Sequence, residues 1–453
     1  MTYPDALSYL GQTRRFGMKL GLDTMRELAK SLGNPQDNLR FIHLAGTNGK
    51  GSTAAFFESC LRASGLRVGL YTSPHLVSVR ERIQINRQPI SEADLAEGMT
   101  VVSEIVGGRG NEEVTFFELM TALALWYFGR EKVEWVVWET GLGGRLDATN
   151  IVTPVVCIIT NIGLDHQQYL GESLRDIAAE KAGIIKPGVR VVTTEGPGEA
   201  LDVIKARCAE LGSALSTIRL HRYVADLGLR DGKQFMDFDG IEFELGLVGP
   251  HQVLNAACAI DMMWTMRSVE YARTRDKNYL IDDDAVERGL KETVWPGRFE
   301  ILSENPLVVL DGAHNPAGTR MLVETWRAYL AARFGWSARE IEGRARLVFA
   351  SVADKDISEM AELLRPLARK VSLVRLANER SAEPAQLAEA FSGLPCACYD
   401  SVSDLWHDMA AAPESITLIT GSLFLVGEML ALRQGDTEEY RLNERLEILT
   451  ATR

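Results

Sequence analysis

Short, predominantly apolar runs alternate along this chain with longer segments whose apolar residues recur every three or four positions. Phe41 to Ala45, Val133 to Trp138 and Val155 to Thr160 are runs of the first kind, and Arg67 to Thr72 and Val189 to Thr193 come close to it. Such runs predict strands buried on both faces, as in a parallel sheet. Between them, residues 53–64, 91–106, 114–129 and 173–182 carry helical spacing. Ser91 with Asp94, and Ser173 with Asp176, form S-x-x-D capping boxes at two helix starts. Strand and helix in alternation predict an α/β domain on a mainly parallel sheet. Functional groups in such sheets collect beyond the carboxyl ends of the strands, where Ser73, Glu139 and, after a short loop, His166 fall.

The first forty residues read as one or two helices, around 6–10 and 25–32. Residues 220–247 alternate with period two and turn at Asp231-Gly232 and Asp239-Gly240, which predicts an antiparallel excursion. A helix with an apolar face covers 251–266. The pattern breaks at Trp295-Pro296-Gly297-Arg298, and the domain boundary is placed there. Beyond it, an apolar strand at Leu307 to Leu310 ends in Asp311-Gly312-Ala313-His314-Asn315-Pro316, and strands at 346–350, 371–375 and 416–420 alternate with helices. The expected division is residues 1–294, a smaller α/β unit at 299–435, and a charged helical tail at 436–453 that is solvated or docks.

Composition narrows the class. The chain has 453 residues, 46% apolar and 25% charged, which suits a globular protein of two or three domains. No apolar stretch approaches the ~18 residues of a membrane span, and Met1 to Asp5 opens no signal peptide, so the cytoplasm is the expected location. The cysteines at 60, 157, 208, 258, 396 and 398 lie mostly in apolar runs and read as buried small hydrophobes. Cys396-Ala397-Cys398 lacks the two-residue gap of a zinc knuckle or redox pair. A net charge of −13 argues against a nucleic-acid partner but leaves room for an anionic substrate in a local basic pocket.

The candidate chemistry centres on Gly46-Thr47-Asn48-Gly49-Lys50-Gly51-Ser52, a glycine loop between a strand and a helix. Glycines let the backbone approach a polyphosphate, and amides at the helix start point at it. The G-x-x-x-x-G-K-[ST] pattern wants Gly at 44 and Ser or Thr at 51; this chain has Leu44 and Gly51, so a plain tight turn stays open. Glu139 ends an apolar strand as a magnesium-binding acid would, with Ser73 as a second hard oxygen ligand and His166 as a less typical nitrogen one. An exposed strand-end acid and a surface histidine are the plain alternatives. Lys181, in the last turn of its helix, reads first as an ordinary dipole-compensating lysine. Arg298, Asp311 and His314 combine turn chemistry with strand-end position. Two domains with polar strand ends suggest a ligand between them.

Taken together, Gly46 to Ser52, Thr72-Ser73-Pro74-His75-Leu76, Glu139 to Asn150, Leu164-Asp165-His166, Glu180 to Ile184, the His251-Gln252…Asn255 pair, Pro296-Gly297-Arg298 and Asp311 to Asn315 follow one known order. The chain closely resembles the folylpolyglutamate synthase/dihydrofolate synthase family of the Mur ligase superfamily, from the first helices to about residue 430. That resemblance implies an N-terminal P-loop-type domain and a Rossmann-like C-terminal domain. It implies an ATP-dependent ligase in which a pterin carboxylate becomes an acyl phosphate and L-glutamate displaces the phosphate. By the resemblance, Lys50 with the amides of Thr47, Asn48, Gly49, Gly51 and Ser52 holds the phosphates. Asn255, Arg298 and Asp311 match ATP-binding positions, with His314 beside them. Ser73, Glu139 and His166 match ligands of Mg²⁺. Lys181 matches a lysine carbamylated in the family, which would make it an anion able to hold a second metal. Thr115, Phe116, Leu146, Asp147 and Ala148 match the pterin pocket, and Gly21-Leu22-Asp23 is expected to close it.

A cell-wall Mur ligase would carry an extra N-terminal domain, which about forty residues cannot build. A nucleotide switch would leave Asp311 to Asn315 without a role, and a degenerate binding protein would not be expected to keep Lys50, Glu139, His166 and Lys181 together. The expected substrates are dihydropteroate or a reduced folate, with L-glutamate. A monomer is expected, with no nucleic-acid or membrane partner. Asp147-Ala148-Thr149 leans toward a dual enzyme acting on both acceptors.

Overall fold

The computed structural model describes residues 1–13, 21–108, 114–221, 223–274 and 282–440. Eight strands form the first sheet: β1 (Phe41–Ala45), β2 (Val68–Tyr71), β3 (Ile83–Ile85), β4 (Gln88–Pro89), β5 (Trp135–Glu139), β6 (Val156–Ile159), β7 (Arg190–Thr193) and β8 (Leu215–Thr217). Their order is β4-β3-β2-β5-β1-β6-β7-β8. From β2 to β8 every pairing is parallel, and β3 and β4 add an antiparallel hairpin at one edge. β1 therefore lies between β5 and β6, and its chain exits into a crevice flanked by their carboxyl ends.

Both faces of this sheet are covered, which is why its central strands are predominantly apolar. One face packs on helices Tyr3–Gln12, Asp23–Ser31, Glu92–Gly107 and Phe116–Arg130. The other packs on Lys50–Ala63, Pro250–Thr274 and Asp283–Lys291, and on a second sheet. That second sheet is a meander of β9 (Val224–Arg230), β10 (Lys233–Phe238) and β11 (Ile241–Leu245). Its two tight turns hold Asp231-Gly232 and Asp239-Gly240 at positive φ, the geometry that twists with a hairpin.

The third sheet consists of β12 (Glu300–Glu304), β13 (Leu307–Leu310), β14 (Ala345–Phe349), β15 (Ala368–Val374), β16 (Cys396–Tyr399) and β17 (Ile416–Thr420). Its order is β12-β13-β17-β14-β15-β16, parallel except for β12. The α/β class with a mainly parallel sheet and a second α/β sheet is as the sequence predicts. Among the described residues no helix is long and apolar enough to cross a membrane.

Several local expectations are corrected. Cys60, Cys157, Cys208 and Cys258 are buried, but Cys396 and Cys398 are exposed. They sit two apart on the edge strand β16, so both point to the same solvated side. The helix after the glycine loop starts at Lys50 rather than Thr53, and the helix at 251–266 extends from Pro250 to Thr274. Only half of the Ser91 box forms. Ser91 Oγ accepts the Asp94 N–H at 3.0 Å, while the Asp94 carboxylate is taken by Ser91 Oγ and Arg130. The Ser173–Asp176 box is complete. Strands β3, β4, β8, β12 and β16 are not among the elements the sequence pattern predicts; all lie at or near sheet edges. Of the predicted tail, residues 441–453 lie outside the described residues.

Candidate active site

The register of the first sheet sets the site. Leu44 of β1 pairs with Glu139 of β5, so the glycine loop and the strand-end carboxylate emerge side by side. Gly49, with φ of 83°, turns the chain into the helix that starts at Lys50. Lys50 Nζ donates to the carbonyls of Gly46 (3.0 Å) and Thr47 (3.2 Å), folding its charge back over the loop. Thr47 Oγ1 donates to the Gly163 carbonyl (3.1 Å), and the Asn48 N–H donates to Asn161 Oδ1 (2.8 Å). These bonds fasten the loop to the segment leaving β6.

The three loop glycines also meet the protein itself. A Cβ on Gly46 would lie 1.7 Å from Thr160 Oγ1, one on Gly49 2.8 Å from Asn255 Oδ1, and one on Gly51 2.8 Å from Trp295 Nε1. Their first requirement is therefore close packing of the loop, whose Thr47 and Asn48 N–H groups are both held by Asn161.

Glu139 is buried, and its Oε2 accepts the Ser73 N–H at 3.0 Å. Burial pushes its pKa up; the Lys50 charge, the Ser73 amide, and the charges of Arg298 and Arg82 oppose the shift. Arg82 was not anticipated. It is buried, donates through Nε to His75 Nδ1 at 2.9 Å, and sets its guanidinium 5.2 Å from the Phe116 ring centroid. Thr115 and Glu118 form a capping box that fixes the start of the helix carrying Phe116. Asp147 anchors the neighbouring loop. Its Oδ2 accepts the N–H groups of Gly141 and Leu142, both at 2.9 Å. Its Oδ1 accepts the Thr149 N–H at 3.0 Å and the Thr149 hydroxyl. The carboxylate is thus engaged within the chain.

Lys181 is not a surface residue. It is buried, and its Nζ donates to the Gly46 carbonyl at 2.8 Å. Burial, and then the nearby Lys50 charge, lower its pKa from 10.5 to about 7; Asp165 and Asp147 pull the other way. His166 occupies a left-handed position (φ 51°) before the short helix Gln167–Leu170, with its side chain 46% exposed. Its neighbour Asp165 accepts from Lys355 Nζ at 2.7 Å, an ion pair joining the first sheet's loops to the third sheet's. Lys355 and Asp165 were also not anticipated as site residues. Asp165 stands beside His166 in the Leu164-Asp165-His166 motif. Lys355 follows β14, so the strand-end rule could have found it.

On the C-terminal side, Asp311 at the end of β13 accepts the N–H groups of Phe299 and Ala313, both at 2.8 Å. His314 Nδ1 lies 2.9 Å from the Gly312 carbonyl, and burial holds its pKa down to about 4. Asn315 caps the helix Pro316–Phe334, and its Nδ2 donates to Asn48 Oδ1 at 3.1 Å, tying the third sheet to the glycine loop.

These groups border one cavity of about 770 Å³ between the two large sheets. Thr47 to Ser52, Ser73, Glu139, His166, Lys181, Asn255, Arg298, Asp311 and His314 line it, as do Gly21, Thr115, Phe116, Leu146, Asp147 and Ala148. Leu22 and Asp23 do not line it. Leu22 is packed inward, and Asp23 is exposed and pairs with Arg26 at 3.2 Å. Residues 14–20 lie outside the described residues. Among the described residues no three His, Cys, Asp or Glu side chains converge as a metal cluster. Glu139 with the Ser73 hydroxyl still fits a magnesium ion, which is commonly held by one or two carboxylates and completed by phosphate oxygens and water.

Residues 44–263 match the Mur ligase middle domain, and residues 297–423 match the Mur ligase, glutamate ligase domain. The chain is 35% identical to the dihydrofolate synthase/folylpolyglutamate synthase of Bacillus subtilis, over 94% of this chain and 98% of the relative. It is 34% identical to the folylpolyglutamate synthase of Lacticaseibacillus casei, over 96% of this chain and 98% of the relative. Among solved structures, E. coli FolC in complex with DHPP and ADP superposes with a TM-score of 0.80 at 29% identity, covering 96% of this chain and 99% of that one.

Proposed function

The chain belongs to the folylpolyglutamate synthase/dihydrofolate synthase family, and on that premise we propose that it is an ATP-dependent ligase joining L-glutamate to a pterin carboxylate. A carboxylate is a poor acyl donor. Transfer of the ATP γ-phosphoryl group to its oxygen, with ADP leaving, gives an acyl phosphate. The glutamate amino group then attacks the acyl carbon, loses a proton, and expels phosphate. Catalysis of this kind is mostly positioning and charge neutralisation. The observation that carries the proposal is the single cavity into which the glycine loop, buried Glu139 and the Arg298–Asp311–His314 group all open.

In this reading the amides from Gly49 to Ser52 and the Lys50 ammonium take the phosphates, with Thr47 and Asn48, whose own N–H groups bond to Asn161, holding the loop beside them. Glu139, Ser73 and His166 would hold Mg²⁺, which supplies charge neutralisation at the phosphates. Asn255, Arg298 and Asp311 serve the nucleotide, with His314 beside them. Thr115, Phe116, Leu146 and Ala148 wall the pterin side, where an aromatic ring can stack on a flat heterocycle. Asp147 acts there by holding its loop. Lys181, whose pKa of about 7 leaves roughly half of its amine neutral at pH 7, is set up to take CO₂ as a carbamate, which would hold a second metal. The chain divides at 294/299 into two catalytic domains, with a tail from residue 436. It works as a cytoplasmic monomer on small-molecule substrates.

The relatives named for both activities and for one alone stand at 35% and 34% identity, so identity does not select the acceptor. We favour the dual enzyme on the Asp147-Ala148-Thr149 stretch of this sequence. The test is ADP release from ATP and Mg²⁺ with L-glutamate present, using dihydropteroate, a reduced monoglutamyl folate, or neither. ADP with both acceptors, and one added glutamyl unit by mass spectrometry, is the expected result. ADP released equally without an acceptor would refute the ligase.

A further inference from the structure

The segment that follows the last described long helix bridges the two domains at the edge of the cavity. Helix Leu423–Gln434 ends at Gly435, and the chain then enters a further helical turn in which the Tyr440 N–H donates to the Asp436 carbonyl at 2.9 Å. Tyr440 is buried in the C-terminal domain's apolar cluster, its hydroxyl 3.4 Å from the Phe424 carbonyl, and it borders the cavity. Its neighbour Glu439 faces the other domain. Glu439 Oε1 accepts from the Tyr3 hydroxyl at 2.7 Å and from Ser78 Oγ at 2.6 Å, with Arg80 Nε at 4.0 Å.

Ser78 belongs to the loop that begins at Ser73, the residue whose N–H binds Glu139. That loop is stiff. The Glu81 carboxylate accepts the N–H groups of Leu76, Val77 and Ser78 at 2.8, 2.9 and 2.7 Å. Val77 is packed within the C-terminal domain's apolar cluster. A Cβ on Gly427 would lie 2.2 Å from the Leu76 carbonyl and 3.0 Å from the Tyr440 ring, so that glycine lets loop, helix and tyrosine meet. One rigid loop therefore touches Glu139 at one end and the tail at the other.

We propose that residues 436–440 clasp the two domains and that Glu439 is a positioning residue for the ligation. It holds the 73–81 loop, and with it the Glu139 side of the cavity, in register with Asp311 and His314. The kinetic part of this rests on the ligase reading above. A clasp that favours the assembled cavity acts on apparent affinity, because a competent state populated only in part weakens binding by that fraction.

The experiment compares the wild type, E439A and the double variant Y3F/S78A by steady-state kinetics and by small-angle scattering without ligands. E439A is expected to raise the KM for acceptor and glutamate together by about three- to tenfold, with kcat within about twofold. Y3F/S78A is expected to reproduce most of that change, and adding E439A to it to cause little more, since the two short hydrogen bonds are then already gone and the longer Arg80 contact at 4.0 Å is the weaker one. Scattering is expected to give a larger radius of gyration for E439A than for the wild type. Unchanged KM values, additive effects, or superimposable scattering curves would each overturn the clasp. A wild type that uses no glutamate, with scattering that still separates the two proteins, would sink the ligase reading and leave the clasp standing.

Discussion

Lys181 makes a measurable demand on stability. Its amine is buried against the Gly46 carbonyl and holds its proton only up to a pH of about 7, whereas an unfolded lysine does so to about 10.4. The folded pKa is the lower one, so between these values the unfolded chain binds one more proton and stability rises with pH. Each pH unit is worth about 1.4 kcal/mol when a full proton is released, and the two pKa values integrate to about 3 kcal/mol between pH 6.5 and 9.5. Below pH 7 the penalty for holding the charge in the cavity is fully present. K181M keeps the length of the side chain and removes the titration. The assay is urea unfolding of wild type and K181M across that range in CO₂-free buffer, taking the difference so that other groups cancel. The wild type is expected to gain about 3 kcal/mol relative to K181M as the pH rises. A difference that stays constant with pH refutes the reasoning. The same neutral amine is what CO₂ requires, so ¹³C-bicarbonate added to the wild type should give a carbamate resonance that K181M lacks, and stripping CO₂ should lower its turnover.

Other substitutions separate catalytic from architectural residues. K50A and E139A should abolish glutamate-dependent ADP release while leaving the fold intact by circular dichroism; near-wild-type turnover in either would remove the site assignment. D147N should destabilise by about 2–4 kcal/mol in urea, because one position that now accepts two buried N–H groups, those of Gly141 and Leu142, becomes a donor; unchanged stability would show that Asp147 is not the loop's anchor. G46A should cost about 3 kcal/mol or more, since its Cβ would fall 1.7 Å from Thr160 Oγ1. A G46A protein of wild-type stability would mean that the loop is looser than its packing implies.

How much of this was legible in the sequence follows from what each contact depends on. β1, β5, β6, β13 and β17 were readable because a strand buried on both faces is predominantly apolar, and Phe41–Ala45, Leu307–Leu310 and Ile416–Thr420 match the sequence reading residue for residue. Glu139 and Asp311 were readable for the same reason, as the first charges at the ends of such strands. The hairpin β3–β4 and strand β16 were not, since elements of three, two and four residues are too short to show a period. Lys181 shows a different limit. Its place in the last turn of a helix is the commonest setting for an exposed lysine, and only the fold reveals that this turn faces the glycine loop.

The glycines of that loop mark where motif reasoning and structure part. Motif reasoning gives them one purpose, room for a ligand, yet Thr160, Asn255 and Trp295 already stand where their side chains would go. Those three partners come from three distant parts of the chain, and no local pattern could name them. The same holds for the bonds that join the domains. Lys355 meets Asp165 across 190 positions and Glu439 meets Ser78 across 361. A motif can therefore identify which residues gather at the cavity, because each sits at the end of a locally readable element. The distance across the cavity is set by long-range pairs whose members look, in sequence, like ordinary polar surface residues. Variants in those pairs should therefore alter affinity for substrates without resembling the loss of any catalytic group.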